Sequence, residues 1–552
     1  MAIVLTTAYK AALKSGSNSS NIILEVVLDS GTVKWGQHAG GFSDVIPILK
    51  DAASLQNKID TKGGYTTRGQ MSFTILGRDN FKNLIRDSRL KNRRVTRKDG
   101  FIGTAYTDYV ATYTGKITDW SRSGDELTIM VADDMVEATR KIPVENATKT
   151  QYLDYRNMNP VDIMQNILGT QLGIAAGYIN TTQFDSEQSV WLSGLIFDRV
   201  ITKSEKATKY LEELQIETNS FIFHDGEKIS FKYFGPAVPN QDIPTWTDNL
   251  QILSGSLKQK SGYGDQLFNR VVLYYDYDES GSDGGINFES VVIASNIDSQ
   301  GAAEWNEIKT KEIKSKWIRT RTYTQPSNVT GVVMYHVSKA NGTGAGTLTY
   351  NYAANTLTWT APSGSAGETV VLSKDGAYQI FDANKTKWIR VLVTTASLPS
   401  SNQSDTITIT SLNGTSLATS LTTKILSRYR DPVMSFDLQI DVNDCIVGSN
   451  FFKPTDLVDV TTDEAFMLGK NTLTNERMMI TSLRPDFGHG KVSVSLMQTG
   501  IPPFDSRRYG FIAPAGFPDY PDASVVQRAY AYIGRASDNK VNAGTETGFS
   551  IW

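Results

Sequence analysis

The sequence is poor in the residues that build metal centres. It has one cysteine, Cys445, which cannot form a disulfide within the chain or an all-cysteine metal or iron–sulfur site. The four histidines, His38, His224, His336 and His489, are scattered and show neither an HExxH motif nor the paired spacing of a zinc site. We therefore expect no metal, no cofactor and no catalytic histidine.

Short catalytic motifs are also lacking. The chain has no GxSxG elbow, and Gly469-Lys470 has neither the upstream glycine nor the following Ser or Thr of a phosphate-binding loop. Residues 276–281 (DYDESG) start like a calcium loop. The twelfth position is Asn287, which cannot supply a bidentate carboxylate, so an acidic loop is the favoured alternative. We expect no enzymatic activity.

Long apolar runs and a strong charge bias are missing as well. No stretch is apolar over the roughly 18 residues of a membrane helix, and the first residues lack the charged region of a signal peptide. The expectation is a soluble protein made in the cytoplasm. With 55 Lys and Arg against 58 Asp and Glu, the net charge of -3 does not suggest a general nucleic-acid binder. A chain of 552 residues is too long to fold around a single hydrophobic core, so three or four domains are expected.

Alternating apolar residues predict a mainly β protein. Residues 1–145 show three such strand patterns around a helical stretch at 79–90. Residues 150–250 change to an α+β pattern: Asn159-Pro160 starts one helix, a second covers 204–218, and Asp225-Gly226 turns a hairpin.

The second half returns to strands. We predict a β region split between 255–310 and 430–500, and a β-sandwich inserted at 320–425, where Thr, Ser, Asn and Gly are frequent and helix signals are absent. Residues 501–552 contain a Pro-rich connector and a short helical segment at 522–533.

Three features are candidate contact sites. Seven basic residues lie close together: Arg86, Arg89, Lys91, Arg93, Arg94, Arg97 and Lys98. They predict a contact with an acidic partner, with a solvated surface and DNA phosphates as alternatives; no aromatics interleave for base stacking. In the insert, Trp359, Tyr378 and Trp388 are candidate glycan contacts, although packing in the sandwich core is the favoured explanation. The chain ends on Phe549, Ile551 and Trp552, which we expect to be docked.

Four stretches of the sequence resemble the central tail hub proteins of tailed phages and gene transfer agents, also called baseplate or tail-tip hubs. They are TGKITDWSRSGDELTIMVADDMVEATRKIP (114–143), NPVDIMQNILGTQLGI (159–174), LSKDGAYQIFDANKTKWIRVLV (372–393) and GTETGFSIW (544–552). The resemblance implies two tail-tube-like β-barrels per chain, at 1–145 and at 255–310 plus 430–500, and a ring of six barrels made by three chains. It implies no catalytic residue, and the cysteine cluster of some hubs is missing here.

This resemblance also sets the expected location and partners. The protein would be a virion component at the tail tip, assembled in a bacterial cytoplasm, and would line the DNA exit channel without sequence specificity. Expected partners are two further copies of itself, the tail tube or distal tail protein, the tape measure protein, tip fibre or spike proteins, and a host surface receptor. The open alternatives are a receptor- or glycan-binding tail protein acting through the insert, and a cell-wall hydrolase, for which the sequence offers no carboxylate pair.

Overall fold

The computed structural model describes residues 5–499 apart from short gaps, and only isolated strands between 325 and 413 and beyond 499. The gaps are 16–18, 53–56, 60–68, 145–151, 202, 235–242, 249, 262–266, 278–286, 303, 430–432, 448–449, 467–470 and 488. Strands outnumber helices throughout the described part, as the alternating pattern predicted.

The first part of the chain contains two helices and nine strands. They are α1 (Thr7–Ser15), β1 (Ser20–Leu28), β2 (Gly31–Gly36), β3 (Val45–Ile46), β4 (Leu49–Ala52), β5 (Asn57–Lys58), β6 (Gln70–Leu76), α2 (Arg78–Asp87), β7 (Arg94–Phe101), β8 (Val110–Ser123) and β9 (Glu126–Ala132). The helix predicted at 79–90 is confirmed as α2. All strands but β5 form one sheet, in the order β3-β2-β1-β7-β8-β9-β6-β4.

This first sheet curls back on itself. Eight strands laid flat would place the two edges about 34 Å apart at 4.8 Å per strand. Only two residues, Pro47 and Ile48, connect the edge strands β3 and β4, which limits their ends to about 11 Å. The concave side holds a core that includes Phe73, Ile117 and Ile129. Among the described residues no ladder joins β3 to β4, so the predicted barrel is a curled sheet that is not fully closed.

The α+β region follows as predicted. Its elements are β10 (Lys141–Ile142), β11 (Leu153–Asp154), α3 (Pro160–Asn166), α4 (Thr181–Glu187), β12 (Val200–Ile201), β13 (Glu205–Lys206), α5 (Ala207–Thr218), β14 (Ser220–His224) and β15 (Ile229–Tyr233). The Asn159 side chain accepts a hydrogen bond from the Val161 N–H at 2.9 Å, which confirms the predicted helix start. The predicted hairpin is β14 with β15.

The segment after the α+β region divides between two sheets. It contains β16 (Thr245–Thr247), β17 (Lys258–Lys260), β18 (Arg270–Tyr277), β19 (Phe288–Ser295), α6 (Ile297–Gln300) and β20 (Thr310–Lys314). Strands β18, β19 and β20 form a separate three-stranded sheet. The prediction that 255–310 completes a second barrel therefore differs from the structure, because β18 packs its apolar residues Val271 and Leu273 against the α+β core instead.

The predicted insert begins and ends at paired strands. Its described elements are β21 (Arg321–Thr324), β22 (Val337–Ser338), β23 (Thr347–Asn351), β24 (Thr356–Thr360), β25 (Val371–Leu372), β26 (Tyr378–Asp382), β27 (Lys387–Val391), β28 (Gln403–Thr406) and β29 (Thr408–Ser411). Strand β21 pairs with β29, so the two ends of the insert meet. The next element is a helix, α7 (Gly414–Tyr429), where the sequence predicted the end of the sandwich.

The prediction for residues 414–425 is wrong because Thr and Ser obscure an apolar stripe. Ala418, Leu421 and Ile425 follow helical spacing and are buried against the α+β core. Tertiary packing of this stripe outweighs the low helix propensity of the intervening hydroxyl residues.

The last part of the chain builds the second large sheet. The strands in this part of the chain are β30 (Ser435–Asp441), β31 (Ile446–Val447), β32 (Asn450–Phe451), β33 (Leu457–Thr462), β34 (Leu473–Asp486) and β35 (Lys491–Gln498), followed by β36 (Gly510–Phe511), β37 (Ala531–Arg535) and β38 (Phe549–Ile551). The sheet runs β16-β33-β34-β35-β30-β17, and β5 pairs with β34. Its edges also approach each other, since Ile252 bridges both Asp248, next to β16, and Ile440 of β30.

Helix α1 connects the two large sheets. The Tyr9 ring is almost completely buried and lies 5.1 Å from the Phe101 ring of β7 and 6.1 Å from the Phe487 ring after β34. Of the helix predicted at 522–533, residues 522–530 lie outside the described part and residues 531–533 belong to β37.

Candidate assembly surfaces

The two large sheets contain the same five-stranded antiparallel unit. In the first sheet the strands β4, β6, β7, β8 and β9 lie in the spatial order β4-β6-β9-β8-β7. In the second sheet β17, β30, β33, β34 and β35 lie in the order β17-β30-β35-β34-β33. Chain order, spatial order and the antiparallel direction of every neighbour agree. The chain thus carries one sheet architecture twice.

The long strand of each unit has the same bulge. Strands β8 and β34 both have 14 residues, and each inserts one threonine that its partner strand does not match: Thr118 in β8 and Thr481 in β34. The Thr118 hydroxyl donates to the Met130 carbonyl at 3.3 Å, and the Thr481 hydroxyl donates to the Ser495 carbonyl at 3.1 Å. A bulge bends a strand and increases its twist, so each unit curves at the same point.

The turn before the third strand of each unit, β7 or β33, is repeated as well. Asn92 and Thr455 both have positive φ, 65° and 81°, which is uncommon for residues other than glycine. The Asn92 N–H donates to the Ile117 carbonyl at 2.8 Å, and the Thr455 N–H donates to the Ile480 carbonyl at 2.7 Å. The members of each pair are 363 positions apart, as the two bulge threonines are. The same offset therefore relates this turn and the long strands β8 and β34 residue by residue.

A short arm from the first half of the chain covers part of the second unit. Strand β5, which follows β4, pairs with β34 directly after the bulge: Lys58 faces Ser482 and Asn57 faces Leu483. The Ile59 N–H donates to the carbonyl of the bulge residue Thr481 at 2.9 Å. Ile59 itself is buried in a small cluster with residues of the second sheet. The edge of β34 beyond its bulge is thus occupied within one chain.

Most members of the basic run have partners in their own chain. Arg86 pairs with Asp87, Arg93 with Asp29, Arg94 with Asp134, Arg97 with Asp99, and Lys98 with Glu25. Arg89 and Lys91 are exposed, and among the described residues neither has an ion pair. The proposed contact with an acidic partner thus concentrates on these two side chains and stays a prediction.

Arg94 has a structural position that the sequence did not indicate. Its guanidinium donates two hydrogen bonds to the Asp134 carboxylate, at 2.6 and 3.1 Å, and Asp134 is 1% exposed. The same guanidinium lies over the Tyr178 ring at 3.6 Å, and Lys116 lies 3.3 Å from Asp134. Arg94 therefore joins β7, the end of β9 and the α+β region.

The neighbouring Asp133 connects two adjacent strands of the first unit. Burial raises the pKa of its carboxyl, and the N–H groups of Gly69 and Met135, which donate to the carboxylate, act in the opposite direction. Gly69 directly precedes β6, so this side chain joins the start of β6 to the end of β9. Gly69 and Asp133 are far apart in the sequence and belong to no motif, so this contact could be identified only from the fold.

The candidate glycan residues lie on two different sheets. Tyr378 and Trp388 belong to the paired strands β26 and β27, whereas Trp359 belongs to β24, which pairs with β23 and β28. Their side chains lie outside the described part, so the glycan contact stays a prediction.

The tail residues Phe549 and Ile551 belong to β38, which pairs antiparallel with β37. The backbone of residues 549–551 therefore pairs with another strand of the same chain, whereas docking of the tail stays a prediction. Burial of the two side chains and the position of Trp552 stay predictions, since they lie outside the described part.

Within the described residues there is no group of three or more His, Cys, Asp or Glu side chains placed to hold a metal ion. In the same residues no helix is both long and apolar enough to cross a membrane. The candidate calcium residue Asp276 instead accepts hydrogen bonds from the Thr320 N–H and hydroxyl, both at 2.7 Å, and from the Ser290 hydroxyl at 2.8 Å.

Comparison with known proteins gives structural matches only. No family model and no curated protein matches the sequence. Among solved structures, the 43 kDa tail protein of prophage MuSo2 from Shewanella oneidensis is 10% identical with a TM-score of 0.42, covering 87% of this chain and 99% of its own.

Two further solved structures are similar over different extents. A chain of the virion of a native gene transfer agent is 11% identical with a TM-score of 0.20, covering 28% of this chain and 59% of its own. The E. coli c3393 protein, a component of the type VI secretion system with structural similarity to T4 tail proteins gp27 and gp5, is 9% identical with a TM-score of 0.28, covering 85% and 80%. The structures found to be similar are thus tail, virion and secretion-system proteins.

Proposed function

We propose that this chain is a structural, non-enzymatic hub of a phage-like tail tip. Three copies form a ring in which the two repeated units of each chain supply six similar barrels. The ring joins a six-fold tail tube to three-fold tip proteins and lines the channel through which DNA leaves. The tail tube or distal tail protein, the tape measure protein and tip fibre or spike proteins are its partners.

The repeated unit is the observation that supports this function. A six-fold tube ends most simply on six similar surfaces, and a protein with one unit would need six copies to provide them. A chain with two units provides six surfaces from three copies, and the rest of the chain is then repeated only three times. The same object therefore presents six-fold symmetry to one neighbour and three-fold symmetry to the other.

The four sequence stretches that resemble tail hubs point in the same direction. Two of them, 114–143 and 159–174, contain β8, β9 and α3, which are the bulged hairpin of the first unit and the helix that opens the α+β region. A net charge of -3 also permits close packing of copies without strong mutual repulsion.

The mass and symmetry of the assembled protein test this function. The full-length chain, isolated alone and within assembled particles, is weighed by mass photometry and imaged by electron microscopy. A ring of three chains, three times the 60.8 kDa of one chain, supports the hub. Rings of six or twelve chains, or particles without this chain at the tip, contradict it.

A receptor- or glycan-binding role of the insert is the second candidate. Pairing of β21 with β29 brings the two ends of the insert together, which is how an accessory domain is attached to a scaffold. Binding of intact particles to host cells and to glycan arrays, with and without residues 325–407, tests this role. Equal binding by both particles excludes the insert as the receptor-binding element.

A further inference from the structure

When the two units are compared, one edge of the first unit has no equivalent of strand β5 among the described residues. In the second unit, β5 covers β34 beyond the bulge, and Leu483 there is 1% exposed. The matching residue of β8, 363 positions earlier, is Trp120. It is 41% exposed, and Asp119 and residues 121–123 around it are exposed too.

Within the described part of the chain, the backbone at this edge of β8 has no strand beside it. Beyond the bulge, β8 pairs only with β9 among the described residues. The Trp120 N–H donates to the neighbouring Asp119 carboxylate at 2.8 Å, a local contact between adjacent residues. A strand edge that carries a large exposed apolar side chain and, within the described residues, no neighbouring strand is a surface on which another strand pairs readily.

We propose that an extended segment of a second copy of this chain pairs with the Asp119–Ser123 edge of β8, as β5 pairs with β34 inside one chain. This inference rests on the proposed ring and specifies its interface. Within a chain, the second unit receives an arm from the unit that precedes it. The first unit receives no such arm from the described residues of its own chain, so in the proposed closed ring its edge faces the last unit of the neighbouring copy.

This arrangement is head-to-tail and closes by symmetry. Each of three copies would contribute one internal junction, β5 on β34, and one junction between copies at β8. All six units would then have the same edge covered. An adaptor protein of different sequence is the other conceivable occupant, and the experiment below distinguishes it from a second copy.

Photo-crosslinking in assembled particles identifies the occupant. With p-benzoylphenylalanine in place of Trp120, we expect a covalent product of twice the 60.8 kDa chain mass in which both crosslinked peptides come from this sequence. A crosslink to a different protein, or none in particles that contain the chain, overturns the inference. Such particles can still contain three-chain rings, so this failure is distinct from failure of the proposed function.

A charge variant supplies an independent test. Trp120→Arg places a charge at the edge, and we expect ring formation to fall roughly tenfold or more, as for a buried aromatic at an interface centre. Val27→Arg is the matched control, because Val27 is 43% exposed on β1 of the same sheet and away from this edge. Both monomers should keep the melting temperature of the unaltered chain. Equal ring formation by the two variants overturns the inference.

Discussion

Removal of the Arg94 side chain should destabilise the first unit, although Arg94 belongs to a basic run. Arg94→Ala leaves Asp134, which is 1% exposed, with Lys116 at 3.3 Å as its remaining cation, and it removes the stacking on Tyr178. Loss of one partner of a buried ion pair costs about 3–5 kcal/mol. Because Arg94 is partly exposed and Lys116 remains, we expect a loss of about 2–3 kcal/mol. For a domain of this size, the first thermal transition should fall by about 5–10 °C.

Differential scanning fluorimetry measures this shift, with Arg89→Ala as the matched control. Arg89 is exposed and has no ion pair among the described residues, so its removal should change stability by less than about 0.5 kcal/mol. The Arg94 effect should persist in high salt, since buried pairs are screened weakly. If Arg94→Ala and Arg89→Ala melt at the same temperature, the guanidinium does not hold Asp134 as described.

Three further predictions concern the repeat, the basic surface and the insert. Thr118→Val and Thr481→Val should each lower the free energy of unfolding by about 1 kcal/mol, because each removes the same bulge hydrogen bond. If chemical denaturation gives losses that differ by more than about 1 kcal/mol, the two bulges are not equivalent. The double variant Arg89→Glu, Lys91→Glu should bind tail partners more weakly at low salt, and the difference should shrink at high salt. If its co-sedimentation with these partners at low salt is unchanged, the two side chains are a solvated surface without an acidic partner. Replacing 325–407 by a short Gly-Ser turn should leave a folded chain, because Thr324 and Thr408 already face each other; aggregation of this variant would show that the insert supports the core.

Local elements of this fold could be predicted from the sequence because their signals are local. Asn159 followed by proline starts α3, and Asp225-Gly226 turns the hairpin of β14 and β15, since capping and turn geometry depend on neighbouring residues. The mainly β composition and the meeting of the two ends of the insert were also within reach of the sequence.

Long-range pairing could not be predicted because residues far apart in the chain determine it. Strand β5 has two residues and pairs with β34, more than 400 positions away, so no local pattern marks it. The separate sheet of β18, β19 and β20 depends on which core their apolar residues enter, and the alternation of apolar residues within these strands does not specify that core.

The repeat itself leaves only a faint signal in the sequence. Val95 and Val458, Ile117 and Ile480, and the two bulge threonines are identical at a spacing of 363, but the residues between them differ. The valines and isoleucines are fully buried, and many apolar residues can fill equivalent core positions. The seven basic residues of the run are evident in the sequence, but the carboxylates with which five of them pair are known only from the fold.

The most direct test of the hub is a reconstruction of the assembled tail tip that resolves the strands. We expect three copies of this chain around the tail axis, with the two repeated units of each copy related to each other by a rotation of about 60° and all six at the same height. Six copies in the ring, or three copies in which only one unit of each reaches the channel wall, would contradict it.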